Sequence, residues 1–358
     1  MKKIFFTCGP SQLYPTISKH FVNALKEDIL SLSHRSQSFQ QIYHSTQTNL
    51  RKLLGIPKNY HIFFLCSSME AMERIIQNCV IKKSLHFVNG SFSKKFYQMA
   101  ELLKKKPIKF EVQLGEGFEI AKMRILKHIE LICLTQNETS TGVSTPLDFK
   151  TISNWRKNGT LIAIDVVSSV PYVKIDFSNC DLAFFSVQKG FGLPAGLSVI
   201  IVSNLAIEKS ELLRKKGLSS IGHHNFFSML TKEKIYQTPE TPNVLEIYLL
   251  GKVCQDMLKK GIITIRKETD KKAKLIYNFF DGHPRYKPFV KNPIYQSKTT
   301  ITIDVNGETA KMIRKLRLNG VIVSSGYGGF KTEQIRIANF PAHSIQDIYN
   351  LIKLIGYN

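Results

Sequence analysis

The chain has 358 residues, 43% of them hydrophobic and 22% charged, with 50 Lys and Arg against 27 Asp and Glu for a net charge of +23. That balance excludes a disordered or fibrous protein, and the length suffices for a large domain plus a smaller one without disulfide or metal staples. The charge alone would suit a polyanion binder, but lysines outnumber arginines more than three to one and are spread out, with short clusters only at Lys104-Lys105-Lys106 and Lys271-Lys272-Ala273-Lys274. Nucleic-acid readers depend on bidentate Arg contacts, so a solvated lysine-rich surface is the expectation and a non-catalytic polyanion-binding protein the alternative.

The first apolar stretch, Ile4-Phe5-Phe6, ends at Thr7-Cys8-Gly9-Pro10 and is too short for a signal peptide. No run approaches membrane-span length, and a cytoplasmic location is expected. Short β-rich runs follow at 61–66, 85–89, 131–135, 161–165, 182–187 and 198–202, alternating with helical stretches, which predicts a mostly parallel sheet covered by helices. Behind Ser67 and Ser68, the residues Met69, Met72, Ile75, Ile76, Cys79 and Val80 recur at helical spacing, and the serines are natural N-caps. The Thr-Pro-Glu-Thr-Pro-Asn stretch at 238–243 marks a domain junction, with a long helical region at about 244–280 beyond it. The remaining predicted elements are strands at 299–305, 321–324 and 334–339, a helix at 308–318 and a final helix from Ser344. The fold class is therefore α/β: a large mostly parallel sheet domain at 16–242, and a smaller α+β domain formed by 1–15 and 243–358. The six cysteines are scattered with no CxxC pair, as befits reduced buried thiols, and no metal site is expected.

Open parallel sheets bind ligands beyond the carboxyl ends of their strands. Ser67-Ser68, Asn137-Glu138-Thr139, Asp165 and Gln188-Lys189 all fall at such positions. Asp165 closes an apolar strand, where a buried carboxylate needs a cationic or donor partner. Lys189 follows the apolar run 182–187 in a loop with Gly190 and Gly192, where desolvation would lower its pKa and favour Schiff-base chemistry. The flanking glycines would let the backbone approach a ligand. The amides of Ser68 and Met69, opening a helix, could hold a phosphate. Taken singly, Asp165 reads more simply as a helix cap and Lys189 as one of many surface lysines. Their joint placement favours a site.

Phe6-Thr7-Cys8-Gly9-Pro10-Ser11, Ser33-His34-Arg35-Ser36, the run 49–57, Asn137-Glu138-Thr139, Asp165, Gln188-Lys189, Thr238-Pro239 and Arg336 occur in the order found in one enzyme family. Over nearly its whole length the sequence resembles the phosphoserine aminotransferases, within the class V, fold-type I enzymes that use pyridoxal 5'-phosphate. The resemblance makes Lys189 the Schiff-base lysine, Asp165 the partner of the pyridine nitrogen, and Phe92 the aromatic on the ring where the family often has tryptophan. It assigns Thr139 and Gln188 to the cofactor's polar edge and phosphate region, beside the helix-opening amides of Ser68 and Met69. Gln237 and Thr238 match a pair that reaches the cofactor phosphate of the neighbouring subunit, implying a homodimer with shared active sites. His34, Arg35 and Arg336 would bind the phosphate and carboxylate of a small anionic substrate.

The implied reaction converts glutamate and 3-phosphohydroxypyruvate to 2-oxoglutarate and phosphoserine, and some members also act on the phosphorylated hydroxythreonine precursor of pyridoxine. Two departures bear on substrate. Glu70 stands in Ser67-Ser68-Met69-Glu70, where it would bring a negative charge toward a phosphorylated substrate, and this stretch is more like the cofactor turn of class V enzymes acting on alanine, serine or glyoxylate. Ser324-Ser325-Gly326-Tyr327-Gly328-Gly329-Phe330 stands where phosphoserine enzymes commonly carry a histidine-arginine pair. Transamination of an unphosphorylated amino acid with glyoxylate or pyruvate is the alternative.

Overall fold

A computed structural model describes residues 3–125, 128–156, 159–218, 222 and 224–356. The β-rich runs pair into a seven-stranded sheet, in spatial order Tyr60–Leu65, Ser198–Ser203, Leu182–Ser186, Leu161–Asp165, Leu131–Thr135, Ser84–Val88 and Ile108–Glu111. Every neighbouring pair is parallel except the two made by Ser198–Ser203, which runs antiparallel to both of its neighbours. Successive side chains on a strand face opposite ways, and the core divides accordingly. Ile162 and Ile164 join the cluster beneath the helices Gln37–Leu54 and Val244–Lys260, while Leu161 and Ala163 join the cluster beneath Ser68–Cys79. With helices on both faces the inner strands have no polar face to show, which is why they read as continuous apolar runs. The edge strand Ile108–Glu111 escapes that signature because it is short, half exposed and alternates Ile-Lys-Phe-Glu.

The second sheet has the order Ile4–Phe6, Val321–Ser325, Gln334–Ala338, Thr300–Asp304 and Lys287–Pro288. The first strand of the chain lies parallel to Val321–Ser325, so residues near both ends share one small domain. Its core gathers Phe6, Ile301, Val323 and Ile337 with residues of the helices Ile262–Gly282, Thr309–Leu318 and Ile345–Gly356.

The long helical region expected over 244–280 is two helices, broken at Gly261 with φ of +86°. A positive φ is costly for residues with a Cβ and routine for glycine. Ile247, Leu250 and Val253 of the first helix belong to the large core, whereas Ala273, Ile276 and Phe280 of the second belong to the small one. We therefore propose that the domains divide near Gly261 rather than at 242, with the Pro-containing stretch 238–243 an irregular connection within the large domain. Five cysteines are buried and Cys66 is exposed. Among the described residues, no helix is long and apolar enough to cross a membrane.

Candidate active site

Five strands deliver their carboxyl ends to one edge of the large sheet, and each is followed by a residue lining a single cavity of about 280 Å³. Ser68 and Met69 follow Tyr60–Leu65, Phe92 follows Ser84–Val88, Thr139 follows Leu131–Thr135, Asp165 ends its own strand, and Gln188 and Lys189 follow Leu182–Ser186. Arg336, from the small domain, completes the wall. Eight of the twelve expected site residues thus meet in one place.

Lys189 is 6% exposed, and its Nζ donates to Thr139 Oγ1 at 2.9 Å. Burial disfavours the ammonium form and pulls its pKa down to about 8, against the opposing pull of Asp165. Asp165 is as deeply buried, and burial lifts its carboxyl to about 7 despite a hydrogen bond from the Val167 amide at 2.9 Å and the nearby Lys189. The network continues inward, from Thr139 Oγ1 to Ser168 Oγ at 2.9 Å and from Asn137 Nδ2 to Ser168 Oγ at 2.7 Å. Asn137 also reaches Thr300 Oγ1 at 2.9 Å, which ties the lysine's support to the small domain.

The glycines beside Lys189 have a different role from the expected one. A Cβ on Gly190 would lie 1.9 Å from the Val170 carbonyl, and one on Gly192 2.6 Å from the Tyr14 amide, so they admit backbone rather than ligand. The residue that closes over the lysine is Gly9, with φ of +133° and room for no side chain, since a Cβ would sit 2.9 Å from Lys189 Cε.

Phe92 opens the helix Ser91–Leu102 with its ring centroid 5.2 Å from Lys189 Nζ. Its position is held by a residue whose function sequence reasoning missed. Buried Glu138 accepts from the amides of Phe92 and Ser93 at 3.1 and 2.8 Å, and from the hydroxyls of Ser93 and Ser140 at 2.9 and 2.6 Å. A carboxylate at a helix N-terminus satisfies orphan amides and favours the dipole. The Asn-Glu-Thr motif was visible, but nothing local in it showed which amides the acid would meet. Arg336 donates from Nε to the Ser325 carbonyl at 2.9 Å and from one terminal nitrogen to the Thr139 carbonyl at 3.2 Å.

Four expected residues, His34, Arg35, Gln237 and Thr238, lie elsewhere in this chain. Arg35 donates to Gln237 Oε1 at 2.9 Å and to the carbonyls of Thr238 and Pro239 at 2.7 and 3.1 Å. His34, Arg35, Gln237 and Thr238 therefore form a patch of their own, apart from the cavity walls. Glu70 is absent from the cavity lining as well: it accepts from the amide and thiol of Cys66 at 3.0 and 2.9 Å and pairs with His224, whose other ring nitrogen pairs with Glu240 at 2.5 Å. Burial would raise the Glu70 carboxyl, but the His224 and Cys66 hydrogen bonds outweigh it and hold the group at about 2, while the two carboxylates lift His224 to about 9. The negative charge expected to face a phosphorylated substrate is thus neutralised and turned away.

Comparison with known proteins agrees with this geometry. Residues 5–338 match the family described as Aminotransferase class-V. A crystal structure of a phosphoserine aminotransferase from Cytophaga hutchinsonii superposes with a TM-score of 0.95 at 46% identity, covering 99% of this chain and 98% of that one. The chain belongs to the phosphoserine aminotransferase family of class V aminotransferases. The phosphoserine aminotransferase of Rhodococcus opacus is 27% identical over 98% of this chain and 94% of its own. An alanine–glyoxylate aminotransferase from Nostoc, at 21% identity and a TM-score of 0.83 over 99% of this chain and 94% of that one, shares the fold-type I architecture.

The cofactor of this aminotransferase family is pyridoxal phosphate, and the cavity fits it. A buried acid, an amine of lowered pKa and an aromatic ring line one space. Ser67 caps the helix Ser68–Cys79 by accepting from the Glu70 amide at 3.1 Å, which leaves the first-turn amides of Ser68 and Met69 for a phosphate. The Ser68 hydroxyl is held by Ser186. Gln188 Oε1 is buried with no hydrogen-bond partner in the protein, a vacancy that a donor on the cofactor would fill.

Proposed function

We propose that this aminotransferase exchanges the amino group between glutamate and 3-phosphohydroxypyruvate, yielding 2-oxoglutarate and phosphoserine. The observation that carries the reading is that buried Lys189 and buried Asp165 line one cavity with the guanidinium of Arg336, from the second domain. Bound pyridoxal phosphate supplies an electron sink that lets a Cα–H bond of the amino donor break. Lys189 would attach the cofactor and, as a free amine, take the proton from the substrate Cα. Burial, which lowers its pKa to about 8, favours the free amine that a general base requires. Asp165 would hold a proton on the pyridine nitrogen of the bound cofactor, a cationic partner that favours its ionised carboxylate. Phe92 would cover the ring, the Ser68 and Met69 amides would take the phosphate, Thr139 and Gln188 would contact the polar edge, and Arg336 would take the substrate α-carboxylate.

The patch of His34, Arg35, Gln237 and Thr238 suits a cytoplasmic homodimer in which each subunit completes the other's site. Four polar residues, held together by Arg35 yet outside their own cavity, are supplied with a role if they face the neighbour's. The phosphorylated hydroxythreonine precursor of pyridoxine, also a phosphorylated acid, suits the same pocket.

Initial rates with phosphoserine and 2-oxoglutarate, set against serine or alanine with glyoxylate or pyruvate, test the substrate. The expected outcome is a kcat/KM for phosphoserine at least about 100-fold above the unphosphorylated donors, the discrimination that one or two charge-assisted hydrogen bonds provide. Equal or better use of serine or alanine would transfer the enzyme to the alternative substrate class.

A further inference from the structure

We propose that Lys95, acting with Tyr327, binds the distal anionic group of the substrate's side chain. The inference rests on the aminotransferase reading above and names the residue that would select among its substrates. Lys95 is one turn along from Phe92 on the helix Ser91–Leu102, so both side chains share a face. Both line the cavity, and the Lys95 Nζ is 5.2 Å from the Phe92 ring centroid. Tyr327, from the glycine-rich segment of the small domain, also lines it. Its hydroxyl accepts a hydrogen bond from Lys95 Nζ at 3.1 Å, and its ring lies 5.3 Å from Phe92 and 5.3 Å from the Arg336 guanidinium.

Two cations therefore flank one tyrosine at the wall of the catalytic cavity. Among the described residues no carboxylate pairs with either of them. The motif acid Glu138 is spent on the amides of Phe92 and Ser93 and the hydroxyls of Ser93 and Ser140. A partly buried ammonium group is costly without an anionic partner. Lys95 uses one of its three donors on Tyr327, and that hydroxyl, having accepted, still has a proton to donate. Three donors can thus converge on one anion, while Arg336 serves the α-carboxylate. The chemistry fits an amino or keto acid that ends in a phosphate or a second carboxylate. It also supplies what the segment 324–330 lacks in place of a histidine-arginine pair: the cation comes from the helix across the cavity.

The test compares Lys95→Gln, Lys95→Arg and Tyr327→Phe with the parent enzyme, each loaded with pyridoxal phosphate, in single turnovers with O-phospho-L-serine, L-glutamate and L-alanine. Lys95→Gln should lower kcat/KM for the two dianionic donors by about 10- to 100-fold, the value of a charge-assisted hydrogen bond. Alanine, which has no distal anion, should change less than about 3-fold, and Lys95→Arg should recover most of the loss. An equilibrium titration of the same three amino acids in a Lys189→Ala background, where turnover is blocked, should show the same selective weakening. Equal losses for all three donors, or no loss for any, would overturn the assignment. If the parent enzyme uses glutamate but not phosphoserine, the phosphoserine reading fails, and Lys95 is judged on glutamate against alanine alone.

Discussion

At the scale of the residue, the active cavity is governed by burial. Two groups that water would keep charged sit where neither is at ease, Lys189 with its pKa lowered and Asp165 with its pKa raised, both by desolvation. For Asp165 the sign runs against stability. Its raised pKa means that the folded, cofactor-free protein holds the proton more tightly than the unfolded chain does, so this contribution is intact below about pH 4 and is lost as pH rises through about 7. Asp165→Asn should therefore flatten the fall in melting temperature of the cofactor-free protein across that window. An unchanged slope would mean that Asp165 is not the titrating group. The same substitution in the loaded enzyme should cost turnover on the order of 100-fold or more, because an amide cannot hold the ring proton. Loss of colour together with activity would place the effect in cofactor binding, and loss of activity alone in catalysis.

At the scale of the element, the helix Ser91–Leu102 is anchored by a residue from another loop. Gly90 precedes it, and a Cβ there would lie 2.3 Å from Glu138 Cγ. Gly90→Ala should thus push the carboxylate off its amides and destabilise the fold by about 1–3 kcal/mol, the usual cost of overpacking, with a matching loss of cofactor affinity because Phe92 moves. Denaturant unfolding and cofactor titration check both. Such relations mark the boundary of what the amino-acid order reveals. The inner strands were legible because helices bury both of their faces, and Lys189 and Asp165 because they follow such strands. Ile108–Glu111 was not, being a short edge strand with one polar face. The break at Gly261 lay hidden in a region helical on both sides, and the direction of Glu70 depended on His224, 154 positions away. Contacts distant in sequence leave no local pattern.

At the scale of the whole molecule, the excess of positive charge is mostly a surface property, but one member of a lysine cluster is not. Lys272 is buried, its Nζ donating to the carbonyls of Phe340 and His343 at 3.0 and 2.7 Å, where it fastens the segment after the last strand. The proposed sharing of active sites makes a sharper claim. Lys189→Ala and Arg35→Ala should each be nearly inactive, yet refolded together in equal amounts they should regain about a quarter of parental activity, because half the dimers are mixed and each mixed dimer has one intact site. No recovery would place Arg35 in its own subunit's chemistry or outside the reaction.

The attachment of the cofactor to Lys189 bears most directly on all of this. The protein loaded with pyridoxal phosphate would be reduced with borohydride, digested, and its peptides mapped by mass spectrometry. A single pyridoxyl adduct on Lys189, absent from Lys189→Ala, is the expected result. An adduct on another of the many lysines, or none at all, would contradict the account at its centre.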